Sequence, residues 1–314
     1  MIKKIVAFLS FILILLAPFY GQIEISSQNI FNNLSSDYQI FWDIRVPRTL
    51  LAFFVGAILA LSGLVFQTIF RNPMSTPFTL GVASGATLFT AIAIILGFTA
   101  FTSLFAFIGA MVTIILLFII SSRINIKETS SLLLIGIALS FFYSACLMVL
   151  FFVSNLQESY EIVRFTMGSL DIVGFNDIYL VILAGLSILT IALRYKYEIQ
   201  LLLTSYQLAN LKGIDVKKTN YILLFWVSVA VGICVSITGP IGFIGLIIPH
   251  ILKTIYKKSA DKLIIPVFFY GGVFLVLCDM ISRNLGVTSD IPIGVVTSFL
   301  GAPFFIYLII SKKR

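Results

Sequence analysis

Charge is scarce in this chain. Only 11% of its 314 residues are charged and 60% are hydrophobic. A soluble domain needs more polar surface than that, so the composition points to a protein with many membrane crossings. Histidine occurs once, at His250. It has no carboxylate or cysteine company in the sequence, and beside Pro249 at a helix break it reads as a hydrogen-bonding structural residue. The three cysteines, Cys146, Cys234 and Cys278, lie far apart in apolar runs. That spacing indicates neither a zinc site nor a disulfide framework, and small packing residues remain the simpler reading. There is no Gly-Lys dipeptide, hence no phosphate-binding loop and no nucleotide hydrolysis expected from this chain. HExxH and GxSxG are absent too, and no paired aspartates sit at metal-ligand spacing within a helix. No catalytic residue, cofactor or metal site is expected.

What the chain does have is a series of apolar runs separated by short polar gaps. The stretch from Arg45 to Gly85 organises the rest. Arg45-Val46-Pro47-Arg48 opens it, and Thr49 to Ile69 follows without a charge. That run is long enough to cross a hydrocarbon core of about 30 Å. Gly56, Ala57, Ala60, Ser62 and Gly63 recur along it at close spacing, which lets helix backbones touch inside a bundle. Arg71-Asn72-Pro73 and Pro77 then break the chain before it crosses back. The pattern predicts an all-α protein of about ten membrane helices, at about Ile5–Tyr20, Leu50–Phe70, Leu80–Leu96, Thr102–Ser121, Ser131–Val153, Ile178–Leu193, Tyr221–Thr238, Leu246–Tyr256, Leu263–Met280 and Gly294–Ile310. The first is read as an uncleaved helix, because no small-x-small cleavage site follows it.

Ten crossings put both termini on one side. With that side assigned to the cytoplasm, seventeen basic residues fall inside and only Arg45, Arg48, Arg164 and Arg283 outside, accounting for all 21. The asymmetry is that of a cytoplasmic-membrane protein with cytoplasmic termini. It also explains the net charge of +8 without invoking nucleic acid. Gln22 to Asp43 reads as an extramembrane loop. Within Ser154 to Asp177, Phe165 to Leu170 reads either as a half-helix dipping toward a cavity or as an ordinary external loop. Asp279 and Arg283 are four apart on a helix and are expected to pair near the outer surface. No acidic residue falls in the cores of the second to eighth helices, which argues against an ion-coupled transporter. A G-x5-[ST]-G-x9-P spacing recurs at Gly56, Gly63 and Pro73 and again at Gly232, Gly239 and Pro249. An inverted repeat would produce it, and so would chance. The breaks and small residues at Gly63, Pro73, Gly239, Gly242, Gly245, Pro249 and His250 are candidates for the transport pathway.

Several segments together carry a family resemblance. They are RVPR at 45–48, SGLVFQTIFRNPMSTPFTLGVASGA at 62–86, GPIGFIGLIIPHILK at 239–253 and DIPIGVVTSFLGAPFFI at 290–306, with weaker matches at TMGSL (166–170) and LKGIDV (211–216). The chain resembles the FecCD-type permease subunits of binding-protein-dependent ABC importers for iron chelates, haem and cobalamin. The resemblance covers Arg45 to Tyr307. It implies one permease domain over residues 1–314, with a cobalamin-importer-permease-like fold. The implied partners are a second permease copy or a paralogue, with the pathway between them, a cytoplasmic ABC ATPase dimer and an extracytoplasmic substrate-binding protein. The family's ATPase-coupling segment, two short helices bent at a glycine, corresponds to Ser205 to Thr219. Tyr206, Leu208, Leu211, Lys212, Gly213, Val216 and Lys217 are its candidate residues. The family's outer arginines, which receive acidic side chains of the binding protein, correspond to Arg45, Arg48 and Arg283. An ion-coupled secondary transporter and an intramembrane enzyme are the competing readings.

Overall fold

The structure, a computed structural model, describes residues 2–26, 28–123, 129–286 and 290–311. Most of the expected turn between the fourth and fifth crossings, with Lys127, and the closing Lys312, Lys313 and Arg314 lie outside the described residues. The helices are α1 Ile2–Leu16, α2 Ser36–Gln39, α3 Val46–Ile69, α4 Val82–Ile95, α5 Thr102–Arg123, α6 Thr129–Val153, α7 Leu156–Met167, α8 Asn176–Arg194, α9 Lys196–Thr204, α10 Tyr206–Leu211, α11 Val216–Thr238, α12 Ile244–Tyr256, α13 Ala260–Leu285 and α14 Ile293–Ser311. Among the described residues there is no strand. Six helical spans are long and apolar enough to cross a membrane and four shorter apolar helices accompany them. These ten are the ten runs expected from the sequence.

The short crossings have identifiable causes. Pro77 and Gly81, at φ +83°, hold the start of α4 back to Val82. Gly239, at φ +67°, ends α11, and Phe243, at φ +66°, caps α12, which begins five residues before the proline inside it. At about 1.5 Å per residue the 13 residues of α12 reach only about 20 Å. Non-helical backbone completes such a crossing, which lipid permits only where protein covers it. Here it is covered: Gly239 to Gly242 are buried.

The bundle is built around α3. Of its residues, nearly all are buried, whereas the exposed half of α6 carries Phe141, Phe142, Met148, Val149 and Phe152 on its surface. Glycines explain how close the neighbours come. A Cβ added at Gly56 would meet the carbonyl oxygen of Gly271 on α13, and one at Gly63 would meet that of Gly245 on α12. Main chain packs on main chain at both points, the arrangement that small residues allow when lipid supplies no hydrophobic drive between helices.

Three expectations are corrected. Part of the loop expected over Gln22 to Asp43 is helical. Ser35 caps α2 by accepting from the Tyr38 N–H, and a π-helical stretch, Ile40–Arg45, joins α2 to α3. Proline crowds the carbonyl four residues back, and the wider π turn sits immediately ahead of Pro47. Phe165 to Leu170 is neither a free half-helix nor a plain loop. It is the C-terminal turn of α7 and its exit, begun by a capping box between Asn155 and Glu158 and ended at Gly168, φ +72°. Finally, the two arms of the repeated spacing are not equivalent. Gly63 lies inside α3 and Pro73 beyond it, whereas Gly239 ends α11 and Pro249 lies inside α12.

Gly271→Val tests the main-chain contact. Overpacking a core costs about 1–3 kcal/mol, and here no side chain can swing aside. Thermal unfolding in detergent should shift clearly downward, while Leu183→Ala on the exposed face of α8 should leave it unchanged. An unaltered melt for Gly271→Val would contradict the packing described.

Candidate functional site

One end of the bundle holds a buried ion-pair cluster centred on Arg48, in the first turn of α3. Its Nε donates to Asp279 Oδ1 at 2.7 Å, and its Nη1 donates to Asp171 Oδ1 at 2.9 Å and Asp290 Oδ2 at 2.6 Å. Arg283 Nε lies 3.0 Å from Asp279 Oδ2, and Arg164 Nη2 lies 3.6 Å from Asp171 Oδ2. Three arginines thus balance three aspartates. The members come from α3, α7, the α7–α8 connection, α13 and the α13–α14 connection. Arg45 turns away from the cluster and donates to the carbonyls of Pro18, Phe19 and Ile23. Arg283 Nη2 also reaches Ala17 O at 3.3 Å. A cavity of about 480 Å³ opens beside the cluster, lined in part by Arg48, Arg164, Asp171, Ser282 and Asp290. A second of about 280 Å³, with Thr90, Thr102, Glu161 and Thr238, shares Arg164 and Asp171 with it.

The structure brings Arg45, Arg48 and Arg283 to one end, but not as free surface cations. They are 5%, 7% and 5% exposed and already engaged within the chain. Arg164, mostly exposed, is the accessible arginine of the cluster. The Asp279–Arg283 pair forms as the i, i+4 spacing indicates, yet Asp279 is fully buried rather than near the surface. A buried acid therefore exists, held between two arginines. Sequence reasoning missed Asp171 and Asp290 as partners of Arg48 because they lie 123 and 242 positions away. The only signal was adjacency: Asp171 follows the TMGSL segment and Asp290 opens the DIPIG segment.

The helix-break residues divide by location. Gly63 and Gly245 face each other at the α3–α12 contact. Gln67 Nε2 donates to Gly245 O at 2.9 Å, and Lys253 Nζ donates to Gln67 Oε1 at 3.3 Å, which extends that contact toward the end of α12. Gly239 and Gly242 form the α11–α12 break; there a Cβ on Gly239 would strike the carbonyl of Phe165 at the end of α7. Pro249 is buried inside α12, His250 beside it is half-buried, and Pro73 is exposed in the turn after α3.

The opposite end carries the segment from α9 to the start of α11. Ser205 caps α10, its Oγ accepting from the Leu208 N–H at 3.4 Å. Gly213, at φ +78°, ends it; the Gly213 N–H donates to Asn210 O and that of Ile214 to Ala209 O. A glycine is needed there for its backbone, since nothing lies within 4 Å of where a Cβ would stand. Asp215 then caps α11 by accepting from the Lys218 N–H. The expected pair of short helices is one short helix, α10, and the first turn of a membrane helix. Leu208, Leu211, Lys212 and Lys217 are exposed, Val216 is half-buried, and Tyr206 is turned inward. Burial pushes the Tyr206 phenol up from its ordinary range.

Arg48 is the member whose removal leaves most charge unpaired. Arg48→Ala should destabilise by about 3–5 kcal/mol, the range for breaking a buried pair from one side. Arg48→Lys should also destabilise, because a single ammonium does not reproduce the planar fork that reaches three carboxylates. Thermal unfolding in detergent measures both. A wild-type melt for Arg48→Ala would show that the cluster bears no structural weight.

The relatives of this chain agree with its architecture. The model of the FecCD transport family matches residues 9–311. A Helicobacter pylori protein named as an iron chelatin transport system permease is 38% identical over 281 residues, covering 89% of this chain and 85% of its own length. The hemin transport system permease protein of Yersinia pestis is 31% identical over 326 residues, covering 99% and 97%. A solved structure assigned to the metal-chelate type of ABC transporter, in an inward-facing conformation, superposes with a TM-score of 0.86 at 28% identity over 98% of this chain and 99% of that one. With the family match running from within α1 to the end of α14, the chain belongs to the FecCD transport family, whose members are multi-pass membrane permease subunits of ABC transporters.

Proposed function

We propose that this chain is the permease subunit of an importer in the cytoplasmic membrane that carries an iron chelate, with haem or cobalamin as the alternative cargo. The observation that carries the reading is the family match over residues 9–311 of a chain with no phosphate loop of its own. Iron chelate comes first because the 38% identical relative bears that name. Energy comes from a separate ATPase dimer. The Gly213 end suits it, since exposed Leu208 and Leu211 offer apolar contact and Lys212 and Lys217 offer charge. The excess of basic residues counted on this side from sequence supports a cytoplasmic location for this end and both termini.

The Arg48 end then faces the extracytoplasmic binding protein. Arg164 is the first cation an acidic partner side chain meets. Deeper docking on Arg48 exchanges the partner's carboxylates for Asp171 and Asp290, the two partly exposed aspartates of the cluster. A second copy packs alongside, and the exposed face of α6 supplies apolar surface for it. The pathway runs between the copies, with the breaks at Gly239, Gly242 and Pro249 giving its helices their irregular course.

Reconstitution in proteoliposomes with the cognate ATPase and binding protein tests the reading. Uptake of a labelled ferric chelate should require ATP and exceed that of haem or cobalamin. Uptake driven by a proton gradient, with no ATPase present, would overturn it. Gly213→Val tests the coupling segment separately. A side chain in the left-handed region costs about 1–2 kcal/mol, and here the cost falls on an exposed turn. The variant should assemble normally yet hydrolyse ATP without matching uptake, while Gly213→Asn, tolerated at positive φ, should stay coupled.

A further inference from the structure

Arg71, just past the end of α3, sits at φ +43°, a region side chains disfavour. A residue held there points to surroundings that fix it. Its guanidinium lies 3.7 Å from the centre of the Tyr206 ring. Its Nε donates to the carbonyl of Leu202 at 3.1 Å. The Tyr206 hydroxyl in turn donates to the carbonyl of Ile69.

Both carbonyls belong to the last turns of helices, α9 and α3, where intrahelical donors run out. For Ile69 the reason is specific. The residue four positions on, which would donate if the helix continued, is Pro73, and proline has no N–H. The Tyr206 hydroxyl fills that vacancy from the first residue of α10. Two side chains thus tie three helix ends together: the end of α3, the end of α9 and the start of α10.

The joint lies at a mechanical crossroads. On one side is α10, a single short helix whose Leu208 and Leu211 are exposed. On the other is α3, 24 residues and about 36 Å long, which carries Arg48 in its first turn. Its main chain meets α12 and α13 directly, at Gly63–Gly245 and Gly56–Gly271, with no side chain between them to yield.

We infer that Arg71 and Tyr206 form the joint through which movement of α10 is delivered to α3, and through α3 to the Arg48 ion-pair cluster at the far end. Arg71 is then a positioning residue for transport, one that touches neither nucleotide nor cargo. The inference rests on the proposed ATPase contact over residues 205–219.

The test uses the reconstituted complex with ATPase and binding protein, and a labelled ferric chelate. The reading is ATP hydrolysed per chelate imported, with a distance between spin labels across the Arg48 end measured with and without nucleotide. Arg71→Ala and Tyr206→Leu should raise the ratio at least tenfold and abolish the nucleotide-dependent change in distance, with normal assembly. Tyr206→Phe keeps the ring under Arg71 and should fall between, and Arg71→Lys should partly restore coupling. A wild-type ratio for Arg71→Ala and Tyr206→Leu overturns the joint. So does a proportional fall of hydrolysis and uptake with the amount of complex assembled, because a merely structural contact behaves that way. Gly213→Val separates the two levels. If it uncouples while the joint variants do not, only the joint fails; if it too keeps the wild-type ratio, the coupling segment itself is misassigned.

Discussion

Main chain touches main chain where α3 meets α13 at Gly56–Gly271 and α12 at Gly63–Gly245, and the rest of the bundle depends on that contact. In lipid the helices gain little by hiding apolar side chains from their surroundings, so close approach must hold them together. The contact leaves α3 buried along nearly its whole length. It also forces the polar groups of the neighbouring helices to find partners inside the protein, because the hydrocarbon offers none. Gln67 shows how this works. It bonds the Gly245 carbonyl at the point of closest approach and is itself bonded by Lys253.

The same burial governs the charges at the far end. Arg48 enters the bundle with the first turn of α3, and an isolated guanidinium there would be costly. Asp279, fully buried, cannot serve it alone, since Arg283 claims its other oxygen. Asp171 and Asp290 complete the balance from two connections outside the helices. Such clusters are weak evidence of net stability, but they are selective about geometry. Two of the carboxylates, Asp171 and Asp290, are partly exposed beside an open cavity, while Asp279 at the centre is fully buried. At the other end of α3, the Arg71–Tyr206 contact and the Tyr206 hydroxyl's bond to Ile69 O join that helix to α10, which carries the exposed Leu208 and Leu211.

Much of this was legible in the linear chain, and for a local reason. A helix in lipid satisfies its own backbone, so a long uncharged run is enough to announce one, and charged or proline-containing gaps announce its ends. The ten apolar helices follow from that rule. So does the Asp279–Arg283 pair, whose members stand one helical turn apart. The bend at Gly213 came from the family resemblance, and the structure gives it a local reason: φ there is +78°, a region that suits glycine. What the run of residues could not announce was distance in space. Arg48 finds Asp171, Asp279 and Asp290 across 123 to 242 positions of chain. Tyr206 turns inward to a carbonyl that Pro73 left unpaired, and the segment ahead of Pro47 continues as helix instead of loop. Local composition determined where helices begin and end and which glycines permit close approach. Tertiary packing alone decided which buried polar group meets which, because in a low-dielectric interior a charge or an orphan carbonyl is satisfied by whatever the fold brings within reach, however far away it lies in the chain.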